Sequence, residues 1–196
     1  MPYSYYKDDY RPFTPGQNLP KISTVLDSVR SYQFEVQFFG LPTTIPGQQQ
    51  TDLTLAAKQV GAIGYGVDDI TVSRINDKVY YPGTPTFESV SVTFDNLYLR
   101  RTCSSLWNWF RSIYDPKTGD MTKLAAPGGP GNNTFKATKM RIVELDNTRT
   151  PHAAIELYGV YPKSVRFSEK NYNSNDFSTI EVEFRYDFLD YFNYNA

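Results

Sequence analysis

The sequence predicts a mainly β protein of the α+β type, an antiparallel barrel or sandwich flanked by one amphipathic helix. Three observations predict this class: several segments alternate apolar and polar residues, one segment has helical periodicity, and glycines and prolines separate the segments. At 196 residues the chain suits one domain, whose core needs neither disulfides nor a metal. We also expect extended loops that leave the body and reach neighbouring subunits.

Five segments have the alternation of strands with one buried and one polar face. They are "SYQFEVQFF", "DDITVSRI", "FESVSVTFD", "AAIELYGVYP", which is expected to end at Pro162, and "STIEVEFRYDF". Ile70 and Val72 continue the apolar side of the second segment. The last segment is the most regular, with Ile180, Val182, Phe184, Tyr186 and Phe188 on its apolar side. A period of two is typical of antiparallel sheets that cover a core with one face.

One segment, Leu97 to Tyr114, has the period of a helix. Its apolar residues at positions 99, 103, 106, 110 and 113 follow the spacing of three and four. Asp95 or Asn96 is expected to cap its start, and the turn "DPKTG" is expected to end it. We expect Trp107 and Phe110 to pack against a sheet.

Composition argues against several functional classes. The net charge is −1, so the chain lacks the basic surplus of a dedicated nucleic-acid binder. The one cysteine, Cys103, excludes an intrachain disulfide and is expected to be a buried thiol. His152 is expected in a surface turn, and "GAIGYG" as a turn or bulge rather than a phosphate loop. We expect no catalytic, cofactor-binding or metal-binding residues and no enzymatic activity.

Two further segments lack periodicity. Residues 1–21 are expected to be an extended arm, and its aromatic side chains indicate docking rather than disorder. Residues 22–196 form the predicted domain, with a loop insertion at about 115–136 that contains "APGGPGNN". The 16% aromatic content has two open explanations, an interface rich in tyrosine or an aromatic core. No apolar segment has the length of a secretory signal or a membrane-spanning helix.

Long half-polar strands leave unpaired backbone groups at sheet edges, and closure across subunits is one remedy. The runs "YQFEVQFFGLP" and "AKQVGAIGYGVDDITVSRINDKVYYPGTPTFESVSVTFDN" resemble tail-tube proteins of contractile-tailed bacteriophages, a family related to type VI secretion tubes. The resemblance continues through "LRRTCSSLWNWF" to "IELYGVYPKSVRFSEKNYNSNDFSTIEVEFRYDFLDYF" and covers roughly residues 22–192.

The resemblance implies hexameric rings that stack into a tube inside a contractile sheath. The implied partners are the chain itself, the sheath, the tape-measure protein, the baseplate and double-stranded DNA, which passes without specific binding. The implied location is the virion tail, assembled in the host cytoplasm. Three alternatives stay open: a baseplate tube initiator, a tube of a phage-like secretion or injection system, and an unrelated β-sandwich binding module or enzyme.

Two residue sets receive roles as hypotheses. The tip of an inter-subunit arm is assigned to Tyr80, Tyr81, Pro82, Gly83, Thr84 and Pro85, where proline stiffening lowers the entropy lost on docking. The lumen is assigned to Glu181, Glu183, Arg185 and Asp187, whose excess of carboxylates would repel DNA phosphates. The competing hypothesis for the second set places it on the outer surface toward the sheath.

Overall fold

The computed structural model describes residues 30–42, 45, 47–99, 101–121, 135–146, 148–173 and 175–194. The strands of this part are β1 (Phe34–Phe39), β2 (Ala57–Val60), β3 (Tyr65–Ser73), β4 (Lys78–Phe87), β5 (Val90–Asp95), β6 (Ala137–Leu145), β7 (Pro151–Phe167), β8 (Thr179–Arg185) and β9 (Phe188–Asn193). The helices are α1 (Gly47–Ala56) and α2 (Thr102–Arg111). The predicted arm at 1–21 and the "APGGPGNN" loop lie outside the described residues.

Strand β7 belongs to two antiparallel layers and joins them. Its first half pairs with β6 and β9, and β6 pairs with β1. Its second half, from Tyr161, pairs with β8, and the order continues to β5 and β2. Between the halves, Gly159 has φ +66, and a Cβ there would lie 2.1 Å from Asp187 Oδ2. The described strands therefore form a mainly β sandwich, without the closed barrel that was the other predicted form.

The core is an aromatic cluster between the two layers. Phe38 of β1, Phe94 of β5, Trp109 of α2 and Phe184 of β8 are each at most 1% exposed. The Phe38 ring lies 5.9 Å from the Phe184 ring and 6.1 Å from the Trp109 ring. The Trp109 indole N–H donates to the Phe135 carbonyl at 2.7 Å, so its polar atom is satisfied inside the core. The predicted alternation of β5 and β8 is confirmed by their buried apolar sides.

The predicted helix is confirmed, but its start and its buried face differ from the prediction. It begins at Thr102 after Arg101, which has φ 52, and Leu99 is 88% exposed. Neither predicted cap serves it, because Asp95 ends β5 and the Asn96 amide donates to the Ser178 carbonyl. The buried side chains are Thr102, Ser105, Leu106 and Trp109. The buried face is thus displaced by about one residue from the predicted apolar positions. The small side chains of Thr102 and Ser105 allow this face to lie close to the sheet.

Helix α1 was not predicted. Its sequence, "GQQQTDLTLA", has little apolar periodicity, and only Leu53 and Ala56 are buried apolar residues among its described side chains. Leu55 is 65% exposed. The helix packs mainly against β1. Tertiary packing rather than a hydrophobic face stabilises it.

Three strand boundaries also differ from the prediction. Strand β7 continues through Pro162 to Phe167, and the register shifts at this point, next to Lys163. Proline is tolerated because this half of β7 is an edge of its layer and the ladder is irregular there. The segment "FESVSVTFD" is interrupted after Phe87, and the segment "STIEVEFRYDF" after Arg185. Each interruption lets the chain move to a different pairing partner.

Candidate assembly surfaces

Strands β3 and β4 form a hairpin, residues 65–87, that pairs with no other described strand. Its exposed apolar side chains are Tyr65, Val67, Ile70, Val72, Ile75, Tyr80 and Tyr81. Ile70 lies opposite Tyr81, so both side chains share one face of the hairpin. The expectation that Ile70 and Val72 lie on a buried face is wrong, since they are 55% and 44% exposed.

The root of the hairpin is fixed to the sandwich by aromatic packing. The ring of Tyr65 lies 5.6 Å from that of Phe87, which lies 6.0 Å from that of Tyr186. Tyr186 is 3% exposed, and its hydroxyl donates to the Gly64 carbonyl at 3.0 Å. The hairpin therefore projects from the body in a direction set by its root. Residues 61–64 connect β2 to the hairpin outside any helix or strand, and Tyr65 and Gly66, the last two residues of "GAIGYG", already belong to β3.

The predicted arm-tip residues, Tyr80, Tyr81, Pro82, Gly83, Thr84 and Pro85, lie within strand β4. The expectation that they form a tip is wrong, because the hairpin turns at residues 74–77, where the Arg74 amide donates to the Asp77 carbonyl at 2.8 Å. The register shifts opposite Asp68, and a Cβ on Gly83 would lie 2.7 Å from the Asp68 carbonyl oxygen. Gly83 therefore serves a bulge inside the strand. The inter-subunit role of these residues stays a prediction.

The second predicted set lies on and beyond β8. Glu181 and Arg185 are exposed, whereas the Glu183 carboxylate accepts hydrogen bonds from Ser89, Lys163 and Ser164. These bonds, from Ser89 first and then Lys163, lower the pKa of Glu183 to about 2. Asp187 follows the end of β8 and binds the Lys136 ammonium at 2.8 Å through both oxygens.

The expected excess of carboxylates over Arg185 holds for the β8 segment itself, but neighbouring strands add basic residues to the same face of the sheet. Arg166 lies directly opposite Glu181, and Lys163 pairs with Glu183 at 2.9 Å. Lys58 lies 3.5 Å from Asp95, the neighbouring carboxylate on β5. The described part of this face thus balances its carboxylates with basic residues from β2 and β7, which the sequence of β8 alone could not reveal. The position of this face, lumen or outer surface, stays a prediction.

Sequence reasoning missed an ion-pair cluster on the outer face of the other layer. Glu156 of β7 is 3% exposed and lies between Lys139, at 2.8 Å, and Arg141 of β6. Burial raises the pKa of Glu156, but hydrogen bonds from Lys139, Tyr158 and Arg141 outweigh it and lower the pKa to about 2. The sequence signal for this cluster is the basic pair Lys139 and Arg141 at alternate positions of "TKMRIVE", together with the acidic Glu156 in "IELYG". Only the β6–β7 register, which places Arg141 opposite Glu156, identifies the pairing.

Strand β9 forms a second exposed aromatic surface at a sheet edge. Phe188, Tyr191 and Phe192 of this strand are 41–55% exposed. The Phe188 ring stacks on Tyr158 at 4.6 Å with an interplanar angle of 10°. β9 pairs with β7 on one side and with no other described strand on the other. Its free backbone edge could accept a further strand.

The residues with possible chemistry do not converge. His152 is a half-buried residue of β7, so the expected surface turn is wrong. Burial raises the pKa of Cys103, which keeps this half-buried thiol protonated. Within the described ranges, no three His, Cys, Asp or Glu residues are grouped in a way that could hold a metal ion. None of the helices in the described part is long and apolar enough to cross a membrane.

Solved structures share this architecture. The cap that terminates the tube of the anti-feeding prophage superposes with a TM-score of 0.62 at 11% identity, covering 85% of this chain and 91% of that chain. A chain of the PVC sheath–tube complex, an extracellular contractile injection system in its extended state, gives 0.61 at 14% identity, covering 90% and 99%. A chain of the six-fold symmetrised anti-feeding prophage baseplate gives 0.58 at 12% identity, covering 86% and 98%.

No protein-family model matches the chain, and no curated protein sequence matches it. The likeness is one of three-dimensional structure, at sequence identities of 11–14%. It extends over 91–99% of the length of the compared chains. The chain therefore has the fold of proteins found in the tubes, tube caps and baseplates of contractile injection systems.

Proposed function

We propose that this chain is a structural, non-enzymatic subunit of the tube of a contractile injection machine. In this proposal hexameric rings stack into a hollow tube inside a contractile sheath. The observation that carries the proposal is the likeness to the chain of the PVC sheath–tube complex, which covers 90% of this chain and 99% of that one. The hairpin, which pairs with no other described strand, and the edge strand β9 supply surfaces for contacts between copies.

Specifically, the tube belongs to a bacteriophage tail and conducts double-stranded DNA during ejection. Its partners are then the sheath, the tape-measure protein and the baseplate, the particle is the virion, and assembly takes place in the host cytoplasm. A charge-balanced channel would suit this task, because a strongly basic wall would retain DNA phosphates. On the face of β8 and its neighbours that points away from the core, acidic and basic side chains alternate, which is compatible with such a wall.

Assembly of the purified chain tests the proposal. Electron microscopy of negatively stained samples, with and without a baseplate template, is expected to show rings and hollow tubes of constant diameter. The template matters because tube growth can require a nucleus. A chain that stays monomeric on its template at high concentration would contradict the proposal.

A tube cap is the second candidate, because the anti-feeding prophage cap gives a TM-score of 0.62, similar to that of the tube chain. A cap ends growth, whereas a tube subunit continues it. Mass measurement of particles built on a template distinguishes the two. A single added ring would identify a cap, and many stacked rings would identify a tube subunit.

A further inference from the structure

The sandwich has an open end between its two layers. A cleft of about 410 Å³ lies there, which we call the mouth. Its apolar lining includes Phe34, Val60, Ile63, Ile142 and Ile155, and Glu144 lies at the same site. Phe34, Val60, Ile63 and Ile155 are only partly buried, so the core is accessible at this point. Apolar side chains form about half of the lining of the mouth, and the other lining residues include Arg30, Ser31, Gln33 and Glu144. The described residues leave this cleft unfilled.

The tip of the hairpin has the complementary character. Ile75 is 100% exposed, the full exposure of an isoleucine with nothing packed on it. Arg74 precedes it, and Asp77 and Lys78 follow it, all exposed. The mouth has Glu144 and Arg30 in its lining. Both charge signs of the tip therefore have counterparts of opposite sign at the mouth, and the apolar Ile75 matches the apolar part of the lining.

The tip cannot reach the mouth of its own chain. The mouth contains Ile63, which lies two residues before the start of the hairpin at Tyr65. Strand β3 has nine residues, and at about 3.3 Å per residue the tip lies roughly 30 Å from its root. The paired strands and the packing of Phe87 on Tyr186 prevent the hairpin from folding back. A tip and a mouth at opposite ends of a rigid projection can meet only between copies.

We infer that the hairpin tip of one copy inserts Ile75 into the mouth of a second copy. This inference rests on the proposed function and names the contact that propagates the assembly. The contact is heterologous, since each copy offers a tip on one side and a mouth on the other. It closes into a ring or continues as a tube, depending on the rotation between copies. Tyr80 and Tyr81 then lie on opposite faces of the hairpin behind the inserted tip.

Cross-linking between two variants tests the contact. In a Cys103→Ser background, one protein carries Ile75→Cys and the other carries Ile63→Cys, and the two are mixed, assembled and oxidised. A disulfide-linked dimer is expected in the mixture, at ten or more times the yield of a control pair. The control replaces Ile75→Cys with Tyr98→Cys, a residue that is 94% exposed on another loop. Equal yields from the two pairs would overturn the inference.

A chain that carries both Ile75→Cys and Ile63→Cys sharpens the test. It is expected to give a ladder of covalent oligomers, and an internally closed monomer would overturn the inference. A separate chain carries Phe13→Cys and Ile63→Cys. If this chain cross-links internally in preference to the tip-to-mouth pair, the N-terminal segment occupies the mouth and the inference is overturned. Tubes without tip-to-mouth cross-links refute this contact but leave the proposed function intact. A chain that forms neither tubes nor cross-links refutes both.

A second comparison avoids cysteines. Ile75→Asp is expected to abolish assembly, because a carboxylate would replace an isoleucine against the apolar side chains of the mouth and near Glu144, while Ile75→Leu is expected to retain it. The thermal midpoint of the free monomer is expected to be the same for both, since Ile75 has no packing to lose. Normal tubes from Ile75→Asp would contradict the inference.

Discussion

Strand β8 of the sandwich and strand β3 of the hairpin both alternate apolar and polar residues, yet only β8 buries its apolar side. Ile180, Val182 and Phe184 are at most 1% exposed, whereas Ile70 and Val72 are about half exposed. Alternation specifies a pleated strand, and burial requires a second layer opposite it. The sandwich supplies that layer for β8. The described part of the chain supplies no such layer for β3. We propose that a second copy of the protein covers the apolar side of β3 instead.

The largest effect on monomer stability is expected in the sandwich. Trp109→Ala should lower the free energy of unfolding by about 3–5 kcal/mol, because it empties the centre of the aromatic core and removes the hydrogen bond to Phe135. Urea unfolding followed by circular dichroism measures the loss. Trp107→Ala is the control: Trp107 is only partly buried, beside Phe110 and Phe167, and should lose clearly less. Similar losses would contradict the assigned core.

An intermediate effect is expected at the ion-pair cluster. Glu156→Ala should lower the free energy of unfolding by about 2 kcal/mol, because Lys139 and Arg141 lose the buried carboxylate between them. Glu35→Ala is the control on the same layer, where an exposed carboxylate should contribute less than about 0.5 kcal/mol. The same urea titration measures both. Equal, small effects would show that the cluster does not stabilise the fold.

The pH dependence follows from the lowered pKa values of Glu156 and Glu183. Both fall from an ordinary value of 4.5 to about 2 in the folded chain, so the folded state binds fewer protons than the unfolded chain in this range. The stabilisation is complete above about pH 4.5 and is lost as the pH falls toward 2. Unfolding free energies measured across this window should decrease with falling pH. Glu156→Gln should flatten the slope, and an unchanged slope would contradict the assignment.

The smallest effect on the monomer is expected in the hairpin. Replacing Tyr80 and Tyr81 by Ser should change the free energy of unfolding by less than about 0.5 kcal/mol, because both rings are exposed. The same change should block tube growth, since these rings are then part of a contact between copies. Thermal melting of the monomer and electron microscopy of the assembly reaction measure the two effects. Normal tubes would refute the proposed role of the hairpin.

Sequence reasoning succeeded where local pattern and burial coincide. The alternation in β5 and β8 predicts strands whose apolar residues are in the core. The helical period predicts α2, but of its apolar positions only Leu106 lies on the buried face. Sequence reasoning failed where a residue's role depends on a distant partner. Gly83 indicates a turn by composition, but its place in a bulge depends on the Asp68 carbonyl across the ladder. Likewise, the ion-pair partners of Glu156 lie on β6, a strand that is not among the five predicted segments.

The same reason explains why an arm is predicted in this region but its tip is assigned to the wrong residues. The chain from Asp68 to Asp95 contains two possible turns, "RIND" and "PGTP", and the proline-rich one has the stronger turn composition. Pairing between Ser73 and Lys78 selects "RIND". The prolines then fit because each strand of a two-stranded sheet has one edge without ladder partners.

The most direct test of the account is a cryo-electron microscopy map of particles assembled from the wild-type chain on a baseplate template. The account predicts a hollow tube of stacked rings in which Ile75 of each copy is buried in the mouth of another, beside Ile63 and Ile142. A tube in which the hairpin tips face solvent, or particles without a cylindrical assembly, would contradict it.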